Sequence, residues 1–337
     1  MSLPAWRRLA VFGLAGLTVL TAAAPARPQA ASGSAVVTSL TLFAGTAQGL
    51  RRSRDWGGTW EQAEGRGLDE VGTVRAILPI GPRVYLGGDG GLYVSDDFGL
   101  NWTRPYSATP VLAVCASRYP QADPTVFIGT PAGLLKSGDA GRSFAPTAFP
   151  PVRVERIEWP GPDLVLATAR GVLVSRDAGA SFTGPGGGLP GAPILSLALS
   201  SFYAVDPVLY AGVAGGAFRS SDAGQTWAAA GLEGRSVNDL VWLGPILYAA
   251  TDGGLLRSED LGRTWAALGE GAAGRAGIRI LFPLAPTAGA EVFLGTDRGV
   301  YWSGDGGQHW RASGLQTEEV TALATFPQPD PVQKKRR

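Results

Sequence analysis

An eight-residue loop with the frame S-x-D-x-G-x-x-W/F is written seven times along this chain of 337 residues. The copies read SRDWGGTW (53–60), SDDFGLNW (95–102), SGDAGRSF (137–144), SRDAGASF (175–182), SSDAGQTW (220–227), SEDLGRTW (258–265) and SGDGGQHW (303–310). Their aspartates, Asp55, Asp97, Asp139, Asp177, Asp222, Asp260 and Asp305, are spaced by 42, 42, 38, 45, 38 and 45 residues. Self-similarity at a period of about forty residues means one supersecondary unit per copy. Each residue type has a turn job. The short acid accepts bonds from N–H groups just ahead of it. The Gly two places on supplies a backbone angle that a Cβ resists. The aromatic starts the next strand and brings apolar surface to bury. The loop is a corner between strands, and its aspartates are expected to be buried structural acceptors rather than catalysts or metal ligands.

One unit shows the rest of the pattern. Around Asp260 the chain reads SVNDLVWL, PILYAAT, a DGG turn, GLLRS, the loop, then TWAALG. Four short strands joined by Gly-rich turns are a β-meander, and at this period the meander is one propeller blade. The fold class expected is all-β: a seven-bladed β-propeller with four antiparallel strands per blade and the Asp loop between the third and fourth strands. A straight solenoid has shorter coils and does not need a heavy aromatic at every corner. First strands are expected at 74–80, 111–117, 154–159, 194–200, 237–243, 278–284 and 320–326. None precedes the first Asp loop, where SLTLFAGT already reads as a second strand. The spare VTALATF therefore completes the first blade and leaves no long open edge.

Composition excludes several chemistries. A net charge of +1 argues against nucleic acid as a partner. The single His, His309, lies inside an Asp loop, so His-based triads and metal sites are excluded. No helix follows GDGG or GPGGG to present N–H groups to phosphate, and the acids do not cluster as in a calcium loop. No cofactor and no metal are expected. Cys115 is the only cysteine, so no intrachain disulfide forms; its run VLAVCAS suggests a buried small hydrophobe.

The ends differ from the repeats. Arg7 and Arg8 precede an apolar run over 9–24 and an Ala-Pro-Ala site, the layout of a secretory signal peptide. The organisation expected is a signal peptide over 1–26, a linker over 27–39, the propeller over 40–326 and a disordered basic tail, PQPDPVQKKRR, over 327–337. The chain is then exported across the cytoplasmic membrane as a secreted, periplasmic or cell-surface protein, membrane-anchored if the segment is not cleaved.

Innermost strands are apolar except where they face the pore. Aligned on their first residue, the next positions are Arg75, Leu112, Glu155, Leu195, Asn238, Arg279 and Thr321, and the position after adds Arg156 and Asp239. Arg75, Glu155, Arg156, Asn238, Asp239 and Arg279 are the candidate polar cluster. The turns on the rim away from the Asp loops add Gln48, Asp89, Arg170, Asp252, Asp297 and Arg298, with Arg170 and Arg298 as candidate binding residues. Arg66, Arg235 and Arg275 lie in the links between blades. Arginine anchors carboxylates and protein surfaces well.

The loop frame resembles the Asp-box, or BNR repeat, of sialidases, xyloglucan-cleaving glycosidases, sortilin-type receptors and photosystem II assembly factors. The resemblance covers roughly residues 40–326. One seven-bladed ring behind a signal peptide is most similar in layout to the photosystem II assembly-factor type, which implies a binding protein. Sialidases generally have six blades and an Arg-Ile-Pro motif before the first box, and no such motif precedes Ser53. The xyloglucan enzymes set two aspartates between two propellers, and this chain has repeats for one. The expectation is a non-catalytic exported binding or assembly scaffold, a monomer, recognising a membrane-associated or extracytoplasmic protein partner through the rim away from the Asp loops. The competing expectation is a sialidase-like or xyloglucanase-like glycoside hydrolase with a glycan ligand.

Overall fold

The computed structural model describes residues 39–117, 119–161, 163–200, 203–243, 245–269, 277–283 and 291–328. The expected signal segment, most of the linker, residues 329–337 of the tail and Arg275 lie outside them. Every regular element among the described residues is a strand, and the strands form seven sheets. Blade 1 takes its innermost strand, Val320–Gln328, from the far end of the chain, followed by Ser39–Thr46, Gly49–Ser53 and Glu61–Gln62. The closing pairing is antiparallel and includes Leu42 with Thr325, Phe43 with Ala324 and Ala44 with Leu323. The closing strand extends through Gln328, two residues into the expected tail. The innermost strands of blades 2 to 7 are Val74–Ile80, Ala113–Ala116, Val154–Glu158, Ser196–Leu199, Val237–Leu243 and Ile278–Pro283. Each contacts the innermost strand of the next blade, and Ile278–Pro283 contacts Val320–Gln328, so the ring is closed.

Six sheets have four strands; the sheet of blade 4 has three. There the fourth strand shrinks to a single bridge between Val174 and Thr183. The stretch after Phe182 reads TGPGGG, which offers a Pro without a ladder donor and glycines without side chains to pack.

The core is divided among the blade interfaces. Seven clusters of buried side chains each join two neighbouring blades, including Leu42, Ala44 and Leu323 of blade 1 with Phe293 and Val300 of blade 7. Innermost strands begin on a fully buried residue, such as Val74, Val154 or Val320. Val74 sits against Gly45 of blade 1, where a Cβ would stand 2.5 Å from the Val74 side chain. Cys115 is half-buried at the edge of the cluster between blades 3 and 4, not fully buried as its apolar run suggested.

The Asp loops repeat one hydrogen-bond scheme. In blade 5, Ser220 Oγ donates to Asp222 Oδ1 at 2.7 Å and accepts the Gly224 N–H at 2.9 Å. Asp222 Oδ1 accepts the Thr226 N–H at 2.9 Å, and Oδ2 accepts its hydroxyl. The buried member is the serine: Ser220 is 1% exposed, whereas Asp222 is half-buried and Asp55, Asp177 and Asp305 are exposed. The expectation of buried aspartates is corrected on this point. The carboxylate sits over the outside of the loop, where it reaches its donors without leaving water. The residue after the aspartate is also left-handed, with φ between 54° and 63° at Trp56, Phe98, Ala140, Ala178, Ala223 and Leu261. A residue with a Cβ pays about 1 kcal/mol there, and the serine and aspartate bonds on either side hold it. The aromatic precedes the fourth strand instead of starting it; the indole N–H of Trp102 and of Trp227 bonds to Gly99 O and Gly224 O of its own loop at 3.0 and 3.1 Å, whereas those of Trp60 and Trp265 reach back to the previous blade. Trp265 Nε1 donates to Ala230 O at 2.8 Å, and Trp60 Nε1 to Ser313 O. Trp102 and Trp227 are buried, and the other five aromatics are half-buried.

Candidate functional site

In a four-strand meander the first-to-second turns and the Asp loops share one rim. The second-to-third turns and the links between blades share the other. Innermost strands start on the second rim. Five of them carry a register shift at their start: between Val74 and Ala76, Val154 and Arg156, Val237 and Asp239, Ile278 and Ile280, and where Val320 and Ala322 pair with Thr46 and Gly45. The skipped residues are Arg75, Glu155, Asn238, Arg279 and Thr321. A bulge re-aims a side chain away from the pleat. Here it turns one residue per blade toward the axis. In the two remaining blades Leu112 and Leu195 stand just before the strand, each held by its N–H, to Gly129 O and Gly212 O at 2.8 Å. All seven residues, with Arg156, line one cavity of about 240 Å³ at the channel mouth.

Most polar groups at the mouth are oriented by a neighbour. Arg75 Nε and Nη2 donate to Asp89 Oδ1 at 2.9 and 2.8 Å, and Arg279 Nε donates to Glu319 Oε1 at 2.8 Å. Arg153 pairs with Glu155, and Arg156 Nη1 donates to Glu155 O at 3.1 Å. Asn238 Nδ2 reaches across the blade boundary to Ile278 O at 2.8 Å, and Thr321 Oγ1 donates to Gly45 O at 3.1 Å. The pairs of Arg75 and Arg279 are about 40% exposed on both sides, so each is worth at most about 1 kcal/mol and exchanges readily for a ligand carboxylate.

Asp239 lies one position further along the strand, at the joint between blades 6 and 7. Its Oδ2 accepts the Leu281 N–H of blade 7 at 2.9 Å, and its Oδ1 accepts the Leu240 N–H at 3.1 Å. Enclosure by protein pushes its carboxyl up to about 6, against the pull of Arg156 and of the two backbone donors. A carboxyl group raised by burial therefore lies at the joint between blades 6 and 7, within electrostatic reach of Arg156.

The remaining residues singled out in the sequence are scattered. Arg170 and Arg298 are exposed in second-to-third turns, where their N–H groups donate to Thr168 and Thr296 Oγ1; they do not line the mouth. Gln48 accepts from Arg51 Nη2 at 3.3 Å. Asp252 and Asp297 accept the N–H groups of Ser236 and Gly277 at the blade links, and Arg235 approaches Gly253 on this rim. Arg66 lies elsewhere, its backbone bonded to Leu100 and Trp102 beside the Asp loop of blade 2. Sequence reasoning did not single out the turn threonines. Thr46, Thr130, Thr168, Thr251 and Thr296 are buried, and each hydroxyl donates to the carbonyl three residues on. The T-x-x-G spacing was the available signal. Among the described residues no group of three or more His, Cys, Asp or Glu side chains is placed to hold a metal ion.

Comparison with known proteins agrees with this architecture. A family model described as the BNR-Asp box repeat matches residues 92–104, which span the loop of Asp97. No curated protein sequence matches the chain. Among solved structures, a GH74 xyloglucanase from Xanthomonas campestris superposes with a TM-score of 0.66 at 16% identity, over 82% of this chain and 52% of that one. YCF48 from Cyanidioschyzon merolae gives 0.58 at 16% identity, over 80% and 97%. YCF48 bound to a D1 peptide gives 0.57 at 14%, over 80% and 99%. The chain thus spans about half the length of the xyloglucanase and nearly all of YCF48. At these identities the likeness establishes the fold: a seven-bladed propeller of Asp-box repeats.

Proposed function

We propose that this protein is a non-catalytic binding or assembly scaffold that recognises a polypeptide partner at the channel mouth, on the rim away from the Asp loops. The observation that carries the reading is the ring itself: all seven blades contribute to one cavity, blade 4 with both Glu155 and Arg156 and the others with one side chain each, five blades doing so from a bulge. Three arginines there, Arg75, Arg156 and Arg279, offer forked donors to carboxylates and backbone carbonyls. YCF48, whose D1-peptide complex has this fold, supports a polypeptide ligand as the class. Export across the cytoplasmic membrane is part of the proposal, on the strength of Arg7, Arg8 and the apolar run that follows.

The xyloglucanase likeness supports a second reading, glycoside hydrolysis. Asp239, raised by enclosure, and Glu155, which lines the mouth, are the carboxyl groups it would draw on. Both oxygens of Asp239 are engaged by backbone N–H groups, and the one from Leu281 ties blade 6 to blade 7, a structural task that favours the scaffold. Affinity capture from the native cells, with wild-type and an Arg75→Ala/Arg156→Ala/Arg279→Ala variant, tests the choice. The variant is expected to keep its fold and lose the partner, and wild-type capture to weaken with salt, because exposed charges are screened over about 8–10 Å. Hydrolysis of sialyl or β-glucan substrates by the purified protein, abolished by Glu155→Gln, would establish the hydrolase instead.

A further inference from the structure

The residue before the serine of each Asp loop ends a second alignment column, on the outer part of the blades. It reads Arg52, Val94, Lys136, Val174, Arg219, Arg257 and Trp302. Three of its four cations have partners. In blade 1 Arg52 stands directly opposite Glu61 of the fourth strand, and its Nε and Nη2 donate to Glu61 Oε1 at 3.0 and 2.9 Å. In blade 3 Lys136 Nζ donates to Ala178 O at 3.2 Å, and in blade 6 Arg257 Nη2 meets Glu259 Oε1 at 3.2 Å. Arg219 of blade 5 is the exception. The residue opposite it is Ala228, and its Nε is buried with no hydrogen-bond partner. A buried donor left without an acceptor is costly, and blade 1 shows what satisfies an arginine at this place: a carboxylate lying over the fourth strand.

That place is open in blade 5. Arg219, Thr226, Ala228, Ala229, Glu233 and Arg263 help line a cleft of about 630 Å³ between the outer edge of blade 5 and the Asp loop of blade 6. Its two cations face one acid, Glu233; Asp260 nearby is held by the Arg263 and Thr264 N–H groups of its own loop. The fourth strand, Ala228–Ala229, is exposed and carries no charge or proline to guard its edge. Ala230 gives its N–H to Ala217 O at 2.8 Å, so by the alternation of an antiparallel ladder the N–H and C=O of Ala229 point outward. The edge is closed on either side of that residue: Gly187 O takes the Trp227 N–H at 2.9 Å, and Trp265 Nε1 takes Ala230 O at 2.8 Å. We propose that the cleft between blades 5 and 6 binds an extended acidic peptide segment, which pairs with Ala229 and sets a carboxylate over Ala228 against Arg219. A strand added there runs about 10 Å from Arg219, two strand spacings away, within the combined reach of a Glu and an Arg side chain, and the Ala228 methyl leaves the path clear. Drawn to the carboxylate, the guanidinium gains the partner that Arg52 has in Glu61. Arg263 on the facing wall receives a second acid of the segment. Recognition of this kind takes its affinity from main-chain bonds and its specificity from the side-chain pocket.

Fluorescence anisotropy with a fluorescein-labelled peptide alternating Glu with Val, and with its Gln-for-Glu counterpart, tests this site. The Glu peptide is expected to bind the full chain about tenfold more tightly than the Gln peptide, the difference that about 1.4 kcal/mol makes. Ala228→Glu rebuilds the blade 1 pair within the chain. It is expected to melt no lower than wild-type and to lose the preference for the Glu peptide, because its own carboxylate occupies Arg219. Arg219→Gln is expected to lose the same preference by removing the charge. Equal binding of the two peptides by wild-type, or a preference that survives both variants, would refute the proposal. Free acetate or phosphate competing as strongly as the peptide would overturn strand addition in favour of a small-anion site. The Arg75→Ala/Arg156→Ala/Arg279→Ala variant is expected to bind the Glu peptide as wild-type does, and Ala228→Glu to capture the partner at the mouth as wild-type does, so the two proposals fail separately. Loss of the preference in the mouth variant alone would place the peptide at the channel and refute the cleft.

Discussion

Replacing Ser220 by Ala is expected to cost more than replacing Asp222, although the aspartate is the residue that marks the loop. Ser220 is 1% exposed, and its Oγ accepts the N–H of Gly224, which is itself buried. Removing that acceptor strands a buried donor that water does not reach, at about 1–3 kcal/mol. Asp222→Ala releases the Thr226 N–H and hydroxyl and the Ser220 hydroxyl, but Thr226 is exposed and Asp222 only half-buried, so water takes the place of the carboxylate. That loss is about 0.5–1.5 kcal/mol. Urea unfolding followed by tryptophan fluorescence measures both variants against wild-type. pH gives a second handle. Bonds from the Thr226 hydroxyl and N–H hold the Asp222 carboxyl down at about 2, below its ordinary 3.8. A depressed carboxyl stabilises the fold above its unfolded value and loses that contribution as pH falls through its folded value. The difference between wild-type and Asp222→Ala should therefore be full above about pH 4 and vanish near pH 2. If Ser220→Ala unfolds like wild-type while Asp222→Ala is the more costly, the ranking by burial is wrong.

Two further outcomes follow from the ring and its channel. Ending the chain at residue 317 removes the strand Val320–Gln328 and bares the edge of Ser39–Thr46; calorimetry should show loss of the cooperative transition, and a melt like that of the full chain would contradict closure by this strand. Asp239 is raised to about 6 by enclosure, so its protonated form stabilises the fold below about pH 4 and that contribution is lost as pH rises through 6. Relative to Asp239→Asn, wild-type should lose on the order of 2–3 kcal/mol between pH 4 and 7, and a pH-independent difference would refute the assignment.

The architecture was legible because it is repeated. Seven loops fixed the blade count, and the strand left over at 320–326 fixed the closure. The mouth was legible as an alignment column, since Arg75, Glu155, Asn238 and Arg279 break an apolar pattern at one position. The alignment did not reveal why that position faces the axis. The bulge depends on hydrogen-bond register with the second strand, which no single side chain reports. For the same reason Leu112, Leu195 and Thr321 belong to the ring without looking polar enough, or charged enough, to be singled out. The buried serine and the second left-handed residue of the loop were hidden behind the aspartate, whose chemistry draws attention although its position is exposed. The lost fourth strand of blade 4 follows from GPGGG, a stretch that reads equally well as a turn.

The most direct test of the account is the footprint of the captured partner. Hydrogen exchange of the protein alone and in its complex should show protection at the starts of the innermost strands, around Arg75, Arg156, Asp239 and Arg279, with the Asp loops unchanged. Protection confined to the Asp loops or to the outer strands, with the channel mouth exchanging as in the unbound protein, would contradict the placement of the binding site.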